Sequence, residues 1–221
     1  MEYLGSVAPF YISRFRLKIL SERIDKRSIK LTGKISIPLI GELQIDNQRV
    51  DSATGLLLER VINWLSKNNA IGDVSNTNCE YTWISIKGKM IRVESKEEGV
   101  DHFFAADTKA ISPEGWHCLV VGSRTNLTSL TESKIPFLGS SPIAIQKAIE
   151  IFLKTSKSNI NIDQKQNIDA CSNLKHVGEI ISTDPSSLEW PIAGVVEVLF
   201  KCPKEKLILV SPLFLTYYSH K

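Results

Sequence analysis

Hydrophobic and polar positions alternate with a period of two in the amino-terminal part of the chain, which is typical of half-buried strands. The alternation runs through Tyr11–Leu20 and recurs in Ser28–Ile37 and Leu39–Asp46. In the first of these segments the polar positions are mostly arginine and lysine. The pattern therefore predicts neighbouring strands that bury one face and present a cationic face to solvent.

Further alternating segments occupy the middle of the chain. Thr82–Lys87 and Met90–Lys96 are joined by a Lys-Gly pair, which suits a tight hairpin turn because glycine tolerates positive φ. Val100–Ala106 and the apolar run Trp116–Gly122 predict two more strands. Because the strands come in hairpin-sized clusters, we expect a mainly antiparallel sheet.

Two segments show the spacing of amphipathic helices. In Asp51–Asn68, apolar residues recur every three or four positions. Ser141–Lys157 shows the same spacing and begins with a capping serine followed by proline. The fold class predicted from the whole pattern is α+β, with a mainly antiparallel sheet and two principal helices.

The chain of 221 residues is long enough for one large domain or two small ones. Residues 1–157 are predicted to form an α+β core with the basic sheet face, and residues 158–173, which are polar, a linker or loop. Residues 174–221 are predicted to contain a short strand, His176–Ser182, and a β-hairpin packed on the same domain. The apolar segment Leu213–Tyr218 suits either the core or a partner interface.

Composition narrows the function classes only slightly. Apolar residues make up 43% of the chain and the formal net charge is +3, which is too mild to imply nucleic acid by itself. The sequence contains no run of ~18 apolar residues that would predict a membrane span, and no signal peptide is evident. We therefore expect a cytoplasmic protein. Cysteines number four, without the spacing of a zinc site, and are expected to be free thiols.

Positive charge is concentrated near the amino terminus. The predicted cationic face can bind phosphates or an acidic protein partner, or it can be neutralised by cross-strand pairs with Glu42 and Asp46. The partner could be nucleic acid, another protein or a second copy of the chain. The residues predicted to bind it are Arg14, Arg16, Lys18, Lys30 and Lys34.

A second candidate site consists of Glu80, Glu94 and Lys96. In the predicted hairpin, Glu94 and Lys96 share a strand face, with Glu80 on the neighbouring strand. The two carboxylates could hold Mg²⁺ or Mn²⁺, and the cation could activate water for phosphodiester cleavage while the lysine stabilises charge.

With Glu59 on the preceding helix, these residues resemble the core motif of the PD-(D/E)XK nucleases over Asp51–Ser123. The resemblance implies catalysis by Glu80, Glu94 and Lys96 and metal binding by the two glutamates.

Two functions follow from these observations. The leading hypothesis is a non-catalytic binding or assembly subunit that uses the basic sheet face and the apolar carboxyl-terminal segment. The alternative is the metal-dependent nuclease. A third arrangement, a catalytic pair of Cys118 and His102 on neighbouring strands, lacks any local sign of an oxyanion hole.

Overall fold

The computed structural model describes residues 3–24, 35–37, 41–45, 52–74, 82–94, 102–128, 142–155, 170–183 and 188–218. Within these ranges there are four α-helices and ten strands. In chain order the elements are β1 (Tyr3–Val7), β2 (Pro9–Ile12), α1 (Arg14–Glu22), β3 (Ile35–Ile37), β4 (Gly41–Ile45), α2 (Ser52–Lys67), β5 (Ile71–Asp73), β6 (Trp83–Glu94), β7 (His102–Asp107), β8 (His117–Ser123), α3 (Pro142–Thr155), α4 (Ala170–Ser182), β9 (Glu189–Cys202) and β10 (Leu207–Tyr217).

Five strands close into a barrel. β6 pairs with β7, β7 with β8, and β9 with both β10 and β6, all antiparallel. The ring closes between β8 and β10, which run parallel, with His117 opposite Leu207. This strand order and these strand directions are those of the OB-fold, a five-stranded Greek-key barrel. β2 pairs with the end of β10, β5 pairs with the start of β6, and β1, β4 and β3 form a separate small sheet.

The predicted fold class, a mainly antiparallel sheet with two principal helices, is wrong. The β8–β10, β5–β6 and β1–β4 pairs are parallel, and α1 and α4 add to the two predicted helices. Parallel partners are joined by long crossovers rather than by tight turns. A local pattern of hairpin-sized clusters therefore does not reveal them.

The barrel interior is filled by alternate positions of all five barrel strands. Every second side chain along a strand points into the barrel, and in a small barrel these side chains fill the interior and exclude water. The fully buried interior positions are Ile86, Met90, Phe103, Ala105, Cys118, Val120, Ile192, Val196, Val210 and Leu215.

Two pairs of helices cover opposite parts of the barrel exterior. α1 and α2 pack on β9 and β10 through a cluster that includes Leu17 and Val195. α3 and α4 pack on β7 and β8 through a second cluster, in which the rings of Phe104 and Phe152 lie 4.6 Å apart. The outer face of the β7–β8 pair is therefore occupied by the chain's own helices.

The strand predicted for Tyr11–Leu20 continues only to Ile12. Ser13 then caps helix α1, with its Oγ accepting the backbone N–H of Arg16 at 3.4 Å. On this helix Leu17 is buried, while the side chain of Phe15 is 53% exposed. The alternation wrongly indicated a strand because it assumed that charged residues face solvent and apolar residues the core. In this helix Arg16 is buried and Phe15 is exposed.

The hairpin predicted at Lys87-Gly88 is also wrong, because β6 runs unbroken through both residues. Gly88 is not among the described residues with positive φ, so it does not form a turn. A Cβ atom at Gly88 would stand 3.1 Å from Cγ2 of Ile111. The glycine therefore serves close packing inside a long strand.

Several local predictions are confirmed. α2 and α3 match the two predicted helices, β7 and β8 match predicted strands, and β9 and β10 form the predicted hairpin. β3 and β4 pair antiparallel inside two further predicted strands.

The short strand predicted at His176–Ser182 is instead part of helix α4. Residues 158–169 of the predicted linker lie outside the described residues, so the domain division stays a prediction. None of the described helices is long and apolar enough to cross a membrane.

Candidate functional site

The basic residues predicted to bind a partner do not form one sheet face. Arg14 and Lys18 are exposed on helix α1, and Arg16 on the same helix is buried. Lys30 and Lys34 lie outside the described residues. The cationic sheet face predicted for this segment is therefore wrong, since three of its members belong to a helix, and partner binding by the exposed residues stays a prediction.

Arg16 links helix α1 to the barrel. Its Nε lies 2.8 Å from Oε2 of Glu197 on β9, with the side chains 7% and 30% exposed. Charge-assisted bonds of this kind are stronger than neutral ones when they are shielded from water. The structure therefore places Arg16 in the packing of α1 and not on a surface for partners.

The Arg16→Ala substitution is expected to lower the free energy of unfolding by about 2 kcal/mol, because it removes a charged hydrogen bond and leaves Glu197 without that partner. Arg14→Ala, on the exposed side of the same helix, is the matched control and should change stability by less than about 0.5 kcal/mol. Urea denaturation of both variants and the parent measures the difference. Equal losses in the two variants would contradict this role for Arg16.

The structure gives no support to the nuclease site. Glu80 and Lys96 lie outside the described residues, and Glu94 is the last residue of β6. The hairpin that was predicted to bring Glu94 towards Glu80 is absent, because β6 runs as a single strand from Trp83 to Glu94. Glu59 is buried on α2. In the described part of the chain, no group of three or more His, Cys, Asp or Glu could hold a metal, and the Mg²⁺ or Mn²⁺ site stays a prediction.

Cys118 and His102 do not form a catalytic pair. His102 lies opposite Ser123, whereas Cys118 lies near the other end of the β7–β8 pair. Burial in the barrel interior raises the pKa of the Cys118 thiol well above its ordinary value, with the charge of Asp107 adding to the effect. A buried, protonated thiol is a poor nucleophile.

Three aromatic rings meet on the barrel surface where β9 begins and β10 ends. The rings of Phe10 and Tyr217 stack with centroids 4.3 Å apart, and the ring of Trp190 lies 5.3 Å from that of Tyr217. Trp190 and Tyr217 are 41% and 37% exposed. We call these three residues together with Arg92 the aromatic surface.

A basic side chain borders these rings. Arg92 reaches from β6 to place its Cζ 5.6 Å from the Phe10 ring centroid, and its Nη1 donates to the Tyr217 hydroxyl at 3.2 Å. Lys89 lies on the opposite face of this strand, because Trp190 pairs with its neighbour Met90. The aromatic surface thus combines π-faces with a cationic edge.

A cleft of about 310 Å³ lies between helix α4 and the ends of β7 and β8. Its apolar walls come from Ala106, Leu119 and Leu207. Gly178 of α4 leaves room there, since a Cβ atom at this position would meet no atom of the described residues within 4 Å. The turn between β9 and β10 adds Glu205 to the lining. We call this space the Asp107 cleft.

Asp107 and His117 form a pair in the wall of the cleft. Oδ1 of Asp107 lies 3.2 Å from Nδ1 of His117 and accepts the backbone N–H of Cys118 at 3.2 Å. Asp107 is 5% exposed, and its buried Oδ2 has no hydrogen-bond partner among the described residues. The His117 side chain is 46% exposed. A proton on Nδ1 that is donated to Asp107 leaves Nε2 as an acceptor.

The electrostatics of the cleft are dominated by carboxylates. Burial raises the pKa of Asp107 from 3.8 to about 6, against the opposing effects of His117 and the Cys118 N–H. At the rim, Nζ of Lys175 lies 3.0 Å from Oε2 of Glu205, which raises the pKa of Lys175. A buried acid with a raised pKa in a cleft marks a candidate functional site.

No protein family, curated protein or solved structure matches the chain. A strand order shared with the OB-fold does not determine function, since one fold hosts many functions. The function therefore has to be argued from the aromatic surface and the Asp107 cleft.

Sequence patterns pointed to only one residue of these sites. The predicted interface segment Leu213–Tyr218 is buried except for Tyr217, which belongs to the aromatic surface. Trp190 and Phe10 lie near it only because β2 and β9 both pair with β10. A helical signal for α4, the cleft wall, was present in the spacing of its buried residues Leu174, Val177 and Ile181.

Proposed function

We propose that this protein is a non-catalytic binding module that holds single-stranded nucleic acid on its aromatic surface. The observation that carries the proposal is the run of rings Trp190, Tyr217 and Phe10, with successive centroids 5.3 and 4.3 Å apart. Trp190 and Tyr217 offer exposed ring area. Unpaired bases stack on such rings with about 1–3 kcal/mol per base, whatever their sequence.

The neighbouring charge favours an anionic ligand over a neutral one. Arg92 lies against two of the rings. Its guanidinium can contact a phosphate as a strand crosses the rings. A neutral apolar partner would instead desolvate this charge without compensation.

The proposed surface differs from the one that OB-fold barrels use. Those barrels bind oligonucleotides across their second and third strands. The corresponding strands here are β7 and β8, whose outer face is covered by α3 and α4. The aromatic surface lies on β2, β6, β9 and β10, which these two helices leave open at this end.

The test is fluorescence anisotropy with labelled single-stranded DNA and RNA of about 15 nucleotides, against duplexes of the same length. The parent protein should prefer the single strands, and Trp190→Ala should weaken binding by about 5- to 150-fold. Phe200→Ala is the matched control. Phe200 lies on the same strand and is 42% exposed, but it is not part of the aromatic surface.

Salt dependence tests the phosphate contact separately. Arg92→Gln should reduce the slope of log K against log salt by about 0.7. If the parent binds no oligonucleotide, or if Trp190→Ala and Phe200→Ala weaken binding equally, the proposal is wrong. A protein partner or a homo-oligomer would then be sought by pull-down and analytical ultracentrifugation.

The predicted cytoplasmic location also remains a proposal. Cys118 is a buried free thiol, which supports a reducing compartment. Subcellular fractionation of the native protein would test it.

A further inference from the structure

The Asp107 cleft carries an excess of negative charge. Among its described lining residues, Asp107, Glu179 and Glu205 are carboxylates, and Lys175 is the only lysine or arginine. The Lys175–Glu205 ion pair lies at the rim, and the side chain of Lys175 is 55% exposed. The inner part of the cleft therefore faces the buried carboxylate of Asp107, which this lysine does not pair with.

Among the residues that line the cleft, Asp107 is the one whose burial is hardest to explain by packing. Its carboxylate is buried, and Oδ2 makes no hydrogen bond to any described residue. Burying a charge without full compensation costs stability, so packing alone does not explain this carboxylate. The raised pKa of Asp107 has the same cause, burial, and still leaves the carboxyl ionised at neutral pH.

His117 supplies the polar atom that a ligand can reach. Asp107 holds its Nδ1, and the half-exposed ring lines the cleft with Nε2 left as an acceptor. A carboxylate behind an imidazole makes the ring a better acceptor for a cationic donor. The His117–Asp107 pair is therefore suited to a protonated nitrogen.

The rest of the lining selects an organic cation over a metal ion. Divalent metals require several oxygen or nitrogen ligands that converge, and the described residues offer no such group of His, Cys, Asp or Glu. Ala106, Leu119 and Leu207 present apolar surface instead. A volume of about 310 Å³ suits a small organic molecule.

We propose that the Asp107 cleft binds a small aliphatic ammonium ion. The ammonium group donates to Nε2 of His117, which Asp107 orients, and the alkyl chain packs on the apolar walls. The negative charge of Asp107, Glu179 and Glu205 compensates the positive charge of the ligand. This site is separate from the aromatic surface, so its occupation does not depend on nucleic-acid binding.

Titrations with pentylamine, pentanol and pentanoate test the proposal, since the three probes share an alkyl chain and differ in charge. Two-dimensional ¹H–¹⁵N NMR would follow the backbone amides of Thr108, Lys175 and Gly178. We expect pentylamine to bind at least about 10-fold more tightly than pentanol, which corresponds to about 1.4 kcal/mol, and pentanoate not to bind. Equal binding of amine and alcohol, preferred binding of pentanoate, or no shifts with pentylamine would overturn the proposal.

Two variants locate the site. Asp107→Asn removes the buried charge and should weaken pentylamine binding by about 10-fold or more. Gly178→Leu fills the cleft from a helix position with open space and should abolish binding while the far-ultraviolet circular dichroism is kept. Glu150→Gln, an exposed acid on α3, is the charge control and should bind like the parent. If Asp107→Asn does not fold, Gly178→Leu decides, and unchanged binding by that variant contradicts the site.

Discussion

A Gly194→Ala substitution is expected to lower the free energy of unfolding by about 3 kcal/mol or more. Gly194 lies in β9 between Ile86 of β6 and Leu215 of β10. A Cβ atom there would collide with the backbone carbonyl oxygen of Phe214 and stand 2.9 Å from Cδ2 of Leu215. Because the obstacle is backbone, relief requires two barrel strands to separate, and their close packing resists this.

Gly178→Ala is the matched control for Gly194→Ala. Gly178 lies inside helix α4, and a Cβ atom there would be more than 4 Å from every other described residue that could obstruct it. Alanine is the better helix former, so this variant should be as stable as the parent or up to about 1 kcal/mol more stable. Urea denaturation followed by circular dichroism compares the three proteins. Equal midpoints for both variants would show that the barrel tolerates a side chain at Gly194.

The second large effect is the loss of folding stability that His102 causes as the pH falls. Burial lowers the pKa of His102 from 6.5 to about 4, and neither ring nitrogen makes a hydrogen bond within the described part of the chain. Between these two pH values the unfolded chain binds a proton at His102 that the folded chain does not. The free energy of unfolding therefore falls as pH falls, by up to about 3 kcal/mol from this residue. Above pH 6.5 His102 makes no pH-dependent contribution.

Asp107 acts in the opposite direction over nearly the same range. Burial raises its pKa from 3.8 to about 6, so between these values the folded chain binds the extra proton. Stability then rises as pH falls, by about 3 kcal/mol from this residue. In the parent protein the two contributions largely cancel, and a flat stability profile would conceal both.

Single variants separate the two contributions. Compared with the parent at each pH, His102→Leu should gain about 3 kcal/mol as pH falls from 6.5 towards 4. Asp107→Asn should lose about 3 kcal/mol relative to the parent as pH falls from about 6 to 3.8. Denaturation curves across this range measure both slopes. Differences from the parent that do not change with pH would contradict the assignment.

Elements determined by local spacing could be predicted, and elements determined by distant contacts could not. α2 and α3 carry regular apolar stripes, and the β9–β10 hairpin has a clear turn. α1 lacked such a stripe because Arg16 is buried by pairing with Glu197, which lies far away in the sequence. The barrel closure depends on the parallel β8–β10 pair, for which no adjacent segment carries a signal.

The candidate sites were less predictable than the fold for a related reason. Asp107 and His117 meet because β7 and β8 pair, but the cleft exists only where α4 covers them. The charged triplet around Glu94 was conspicuous in the sequence, yet its proposed partner depended on a hairpin that β6 does not make. A cluster of charged residues in the sequence therefore did not locate the candidate site. The site is formed instead by Asp107 and His117, which lie on different strands and are brought together by strand pairing.

The parallel closure of the barrel has a consequence for synthesis of the chain on the ribosome. β6, β7 and β8 emerge as a three-stranded meander whose edge strand β8 lacks its partner until β10 appears, as the pairing of positions 117 and 207 requires. Contacts between such distant residues slow folding, because a long loop must be ordered before they form. During that interval the β8 edge and the apolar interior are open to other chains, so newly made protein should depend on chaperones more than a helical bundle of this length would.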